Sequence, residues 1–134
     1  MRNSAHVFII QIADITGKMK AKMIEDITCY LDRFNEQTKR RFYALRDLIY
    51  QSTSKTIDEK FWAKLPSFYV DRNFVRIIPF KDHINIEAKA VLAHKDELSK
   101  YRLTPGGMLQ IYHNQQIPNE MLKGLFKESL EQVI

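Results

Sequence analysis

The chain has 134 residues, 45% hydrophobic and 28% charged, with a formal net charge of +5 and a single cysteine, Cys29. That length supports one hydrophobic core rather than two, and a lone cysteine rules out an internal disulfide. The early apolar run Val7 to Ile10 falls far short of the ~20 residues a membrane-crossing helix needs, and no small-residue cleavage site follows it, so neither secretion nor membrane insertion is expected and a reducing cytoplasm fits best. Acids and bases alternate closely, which predicts a mixed solvated surface, and the net charge suggests some affinity for anions without choosing among phosphate-bearing metabolites, nucleic acid and acidic proteins. Nucleic acid is not the expected partner, since it needs a larger aromatic and basic platform than one helix stripe supplies.

Residues 1–22 differ in character from the rest of the chain. Val7 to Ile12 is apolar, and Thr16-Gly17-Lys18 and a lysine-rich patch come next. Two readings stand: an added edge strand, which would need cover against pairing with another chain, or a segment upstream of a true start at Met19 or Met23. The second is preferred, giving an N-terminal extension over 1–22, expected to be dispensable, and a single domain over 23–134.

Ile24, Ile27, Leu31 and Phe34 recur at three- and four-residue steps and predict a short helix, with Cys29 off its apolar stripe. Asn35 breaks or caps it. Phe42, Leu45, Leu48 and Ile49 then predict a longer amphipathic helix ending near Gln51, so the two form a helical pair. Gln51-Ser52-Thr53-Ser54 reads as a polar linker.

Phe61 to Glu87 is aromatic and β-branched, and is interrupted at Asp71-Arg72-Asn73 and Lys81-Asp82-His83. It predicts an antiparallel meander of at least three strands around which the chain is organised. Pro66 should separate the first two strands, and Pro79 should sit at the limit of the third. Two registers of the last hairpin remain open. A two-residue turn at Asp82-His83 puts Ile84 and Ile86 on the face of Ile77 and Pro79; a three-residue turn pairs them with Ile78 and Phe80. In both, His83, Asn85 and Glu87 share the opposite face.

Ala88 to Leu98 is rich in good helix formers and predicts a helix crossing back over the sheet. Thr104-Pro105-Gly106-Gly107 is the strongest turn signal, Met108 to Tyr112 reads as a further strand, and Asn119 is placed as N-cap of a final helix carrying Leu122, Leu125, Phe126 and Val133. The predicted class is α+β: an N-terminal helical pair, a mostly antiparallel sheet, and a C-terminal helix packed on it.

Five pieces in order carry a resemblance: Leu45-Arg46-Asp47-Leu48-Ile49, Glu59-Lys60 leading into Leu65-Pro66-Ser67-Phe68-Tyr69, Phe80-Lys81-Asp82-His83-Ile84, Lys95-Asp96-Glu97-Leu98, and Gly107-Met108-Leu109-Gln110-Ile111 followed by Ile117-Pro118. From about Ile24 onward the chain resembles the YdhG-like domain family. The resemblance implies a small bacterial α+β domain without established catalytic residues, one member of which is described as a frataxin-like intracellular iron chaperone. Tyr112 stands where family members usually carry a proline.

The candidate sites rest on residue chemistry. His83 and Glu87, alternate with Asn85 on one strand face, are the proposed metal ligands, because iron favours carboxylate with some imidazole. Lys39, Tyr43, Arg46 and Tyr50 fall on one stripe of the second helix, where cations and aromatics can hold an anion, a flat ligand or a protein partner. Trp62, Phe68 and Tyr69 are read as core or pocket lining. No Ser, Cys and His arrangement forms a nucleophilic motif, and Gly106-Gly107 lacks a phosphate-loop pattern. A non-enzymatic binding protein is expected, with iron as the implied cofactor.

Overall fold

The computed structural model describes residues 25–132; Val7 to Ile12, the 1–22 extension, Ile24 and Val133 lie outside that range. The chain divides into two compact units, Met1–Arg33 and Phe34–Ile134. In the first, α1 covers residues 25–31.

The second unit opens with α2 (Glu36–Ser52), whose N-cap Asn35 accepts a side-chain hydrogen bond from the Thr38 N–H at 2.9 Å. Such a cap satisfies one of the amides that a helix start leaves orphaned. Phe42, Leu45, Leu48 and Ile49 are buried along one face, as their spacing predicts. Six strands come next: β1 (Asp58–Trp62), β2 (Leu65–Val70), β3 (Asn73–Pro79), β4 (His83–Ala88), β5 (Arg102–Leu103) and β6 (Leu109–Tyr112), then α3 (Asn119–Leu130). All pairings are antiparallel, in the order β1-β2-β3-β4-β6-β5.

The meander therefore has four strands and begins at Asp58. Pro66 sits inside β2, opposite Phe61, and the break between β1 and β2 is Ala63-Lys64, both with positive φ (51° and 66°). Positive φ at both central residues is the signature of a type I′ turn, whose twist matches that of the flanking strands. No glycine or asparagine marks it, so it escapes a composition-based search. In the β3–β4 hairpin, Ile77 pairs with Ile86 and Pro79 with Ile84, closed by Phe80 N–H to His83 O at 2.9 Å. This is the facing of the first predicted register, with the turn one residue earlier, at Lys81-Asp82.

Phe68, Val70, Val75, Ile77, Ile84, Ile86, Leu109 and Ile111 are buried and share one sheet face by register. Helices α2 and α3 cover that face. Tyr50 of α2 meets Phe68 edge-on with ring centroids 6.1 Å apart, and Asn73 donates to the last carbonyl of α3, Leu130 O, at 3.0 Å and to Gln132 O just beyond it at 2.9 Å. The C-terminal helix thus packs on the sheet as expected. Asn119 is its first residue, however, and Pro118 occupies the cap; proline's fixed φ suits a helix start.

The helix predicted over 88–98 does not form. Ala88 ends β4, and the segment runs as linked turns around a short 3₁₀ helix, Leu92–His94. So short a stretch is a marginal helix in water even with favourable propensity. Here tertiary bonds decide: Val91 and Leu98 are buried, and the Ala90 N–H donates to Ser129 Oγ at 3.0 Å. The Thr104 turn forms as predicted, with Gly107 at φ 92° and Thr104 N–H bonded to Met108 O at 2.8 Å. It joins β6 to the two-residue β5, which the sequence did not signal.

Candidate functional site

Both helices of the second unit lie on one side of its sheet; the other face, open with respect to those helices, exposes Lys60, Trp62 and Arg102. Register places the same-facing residues in rows. Lys60, Ser67, Arg76 and Glu87 are cross-strand neighbours over β1 to β4. One row along, Trp62 pairs with Leu65 on one side, while Ile78, Asn85, Gln110 and Arg102 are neighbours on the other.

Arg76 organises this face. Ser67 is small enough for the guanidinium to lie across it, and its Oγ accepts from Arg76 Nε at 2.9 Å. The other nitrogens reach Tyr69 OH at 2.9 Å and Glu87 Oε1 at 3.1 Å. The Phe74 and Trp62 rings lie against the guanidinium carbon, centroids 3.8 and 4.1 Å away. Arg76 is thereby only 4% exposed, while Trp62 is 53% exposed. A desolvated cation between two π faces gains more than it would in water. Beside it the Lys60 ammonium sits 4.5 Å from the Tyr69 ring centre and 3.3 Å from Asp58. At the other end of the face, His83 stacks on Phe80 (4.5 Å, 11° between planes) and lies 4.9 Å from the Tyr112 ring. Between the two aromatic groups Asn85 is buried, its Oδ1 without a hydrogen-bond partner.

Of the residues predicted to form sites, His83 and Glu87 do share the open face. They lie four residues apart on one strand, roughly 13 Å at the usual strand rise. His83 Nδ1 is 2.7 Å from Asp82, and Glu87 pairs with Arg76; the carboxylate of Asp82 is held below its usual range by that hydrogen bond. Among the described residues no three His, Cys, Asp or Glu side chains converge as a metal site.

On α2, Arg46 and Tyr50 come together around Glu59 of β1. Arg46 donates twice to that carboxylate, at 2.9 and 2.7 Å, and Tyr50 OH donates to it at 2.6 Å. Burial, then the Glu59 charge, pushes the Tyr50 hydroxyl well above its usual value. The charge of Arg46 is thus spent on tying α2 to the edge strand. Lys39 pairs with Glu36 at 3.4 Å, and Tyr43 is exposed with its ring edge-on to Phe42.

Phe68 is core, as predicted; Trp62 and Tyr69 belong to the open face. The missed signal is the i, i+2 repetition of large or cationic groups, Lys60/Trp62, Phe74/Arg76, which becomes a platform only once register aligns the strands. Ser67 is consumed as the Arg76 bracket. Thr38 Oγ1 lies 2.8 Å from His113 Nε2 and donates to Phe80 O, so its proton is spent on that carbonyl, and His113 Nδ1 is buried without a hydrogen-bond partner. A depression of about 330 Å³ lined by Lys127, Glu128 and Glu131 is remote in chemistry from the aromatic face, and its charges pair with Glu131, His94 and Lys127 respectively. No helix among the described residues is long and apolar enough to cross a membrane. Comparison with protein-family models, curated proteins and solved structures finds no match to this chain.

Proposed function

We propose that this chain is a non-enzymatic binding domain that takes a protein partner on the open face of its sheet. The observation that carries this reading is Trp62, held in place by Arg76 yet more than half exposed. Trp, Tyr and Arg dominate the energetics of protein interfaces because they bury large rigid surfaces and still offer polar contacts. The formal charge of the face is small: Lys60, Arg76 and Arg102 stand against Asp58 and Glu87, and two of the cations are already paired. Single strands of nucleic acid require bases stacked beside cations that track phosphates, so this pairing weighs toward protein. The resemblance to the YdhG-like family supports the non-enzymatic part of the reading; the iron handling it implies is its competitor.

The test selects displayed random peptides on the wild-type chain, held dilute, and on Trp62→Ala. Trp62 is the sole tryptophan, so its emission reports directly on this face. Peptides enriched on the wild type should shift that emission and lose at least tenfold in affinity for the variant. Peptides that bind both equally overturn the assignment of the surface. A response to ferrous iron that is abolished by His83→Ala with Glu87→Ala, without any peptide response, replaces it with metal handling.

A further inference from the structure

The open face is complementary to itself, and we propose that its partner is a second copy of this chain, the two sheets packing face to face about a two-fold axis. The proposal rests on the reading of this face as a docking surface and names the occupant.

The symmetry argument is geometric. In an isologous pair the same patch meets itself, so a two-fold axis in the plane between the sheets places each residue over its mirror position across that axis. Let the axis run along the strands between β3 and β4, the midline of the six-stranded order. Arg76 and Glu87 flank that midline as direct cross-strand partners, so Arg76 of each copy comes over Glu87 of the other. Trp62 lies on the first strand of the order and Arg102 on the last. The chain of cross-strand pairs connects Arg102 through Gln110 and Asn85 to Ile78, and continuing the β2–β3 register two residues beyond Ser67–Arg76 brings Leu65 and Trp62 into the same row. The axis therefore sets each exposed indole against the guanidinium of the opposite Arg102, a cation–π pair repeated twice. Asn85 lies beside the axis and comes over Ile78 of the second copy, its cross-strand partner within one chain.

Alignment of strands in this arrangement is that of packed twisted sheets, within about 30° and about 10 Å apart. The area is consistent with a modest affinity. Six strands spaced ~4.8 Å and about six residues long give a face of roughly 500 Å² per copy. Two such faces bury about 1,000 Å², the size at which a specific interface becomes distinguishable from a casual contact.

The test is sedimentation velocity of the full chain from about 1 to about 100 µM, the range in which a small, transient interface associates, with Trp62 emission followed in parallel. The wild type should pass from monomer to dimer as the emission moves to the blue. Trp62→Arg, which sets arginine against arginine, should weaken association at least tenfold, and the double variant Trp62→Arg with Arg102→Trp should restore it by exchanging the two halves of each pair. Both positions are exposed, and far-UV circular dichroism of each variant checks that the fold is retained. A monomer throughout the range, or a dimer indifferent to Trp62→Arg, overturns the proposal. So does a dimer lost in the single variant and not regained in the double. Peptide binding measured on the dilute monomer remains a separate result, so the docking surface can stand while its self-association fails.

Discussion

Glu59 shows how one side chain can settle the role of several others. It lies on the covered face of β1, opposite Phe68, with only 8% of its side chain exposed, and its carboxylate takes three hydrogen bonds from Arg46 and Tyr50. Charge-assisted bidentate bonds of this kind are stronger than neutral ones, and removing one partner leaves the other without its counter-charge. Glu59→Gln should therefore cost about 1–3 kcal/mol in urea unfolding. Arg46→Met with Glu59→Leu should cost less than that single change, because an apolar pair leaves no stranded charge. A neutral Glu59→Gln would show that the knot adds nothing. From sequence, Arg46 and Tyr50 were legible as neighbours on a helix stripe. Glu59, thirteen positions away from Arg46 and on a strand, was not, since nothing local fixes which face of β1 meets α2.

The hairpins define what an element-level pattern can and cannot specify. Ala63 and Lys64 both adopt positive φ, a region that costs residues with a Cβ and that glycine and asparagine enter readily. Ala63→Asn with Lys64→Gly should raise stability by roughly 1 kcal/mol while leaving the β1–β2 register unchanged. The denaturant midpoint measures the gain, and the Trp62 spectrum reports any register shift; a loss of stability would mean the existing side chains contribute more than the strain they carry. The same ambiguity of local signals explains the larger successes and failures. The meander was legible because Phe68/Val70 and Ile84/Ile86 alternate with polar residues. The covered face of β3 was not, because Phe74, Val75, Ile77 and Ile78 make both faces bulky, so period-two alternation carries no orientation. The 88–98 segment has helix-forming residues whose hydrogen bonds are taken by the end of β4 and by Ser129 of α3, a tertiary override invisible to propensity.

At the scale of the whole molecule, two histidines set opposing pH responses. His94 Nε2 lies 2.7 Å from Glu128 on α3 and Nδ1 2.6 Å from Glu97. Both ring nitrogens can donate only when the imidazole is protonated, and the bonds to Glu128 and then Glu97 raise its pKa. The stabilisation by His94 is thus complete below the ordinary imidazole value and is lost as pH rises through the raised one. His113 behaves inversely: burial first, then the nearby Arg41 charge, lowers its pKa, with Asp82 opposing and His83 adding to the effect. Its neutral form belongs to the fold, so its contribution is complete above the ordinary value and is lost as pH falls toward the lowered one. The two slopes have opposite signs, one above the ordinary imidazole value and one below it. Relative to the wild type, His94→Gln should make the urea midpoint rise more steeply with pH above about pH 6.5, the ordinary imidazole pKa, where the raised group loses its contribution. His113→Gln should make it rise less steeply below about pH 6.5, where the lowered group loses its own. Taking differences from the wild type removes groups common to all three proteins, and variants whose midpoints shift with the same slope would sink the assignment of opposite signs.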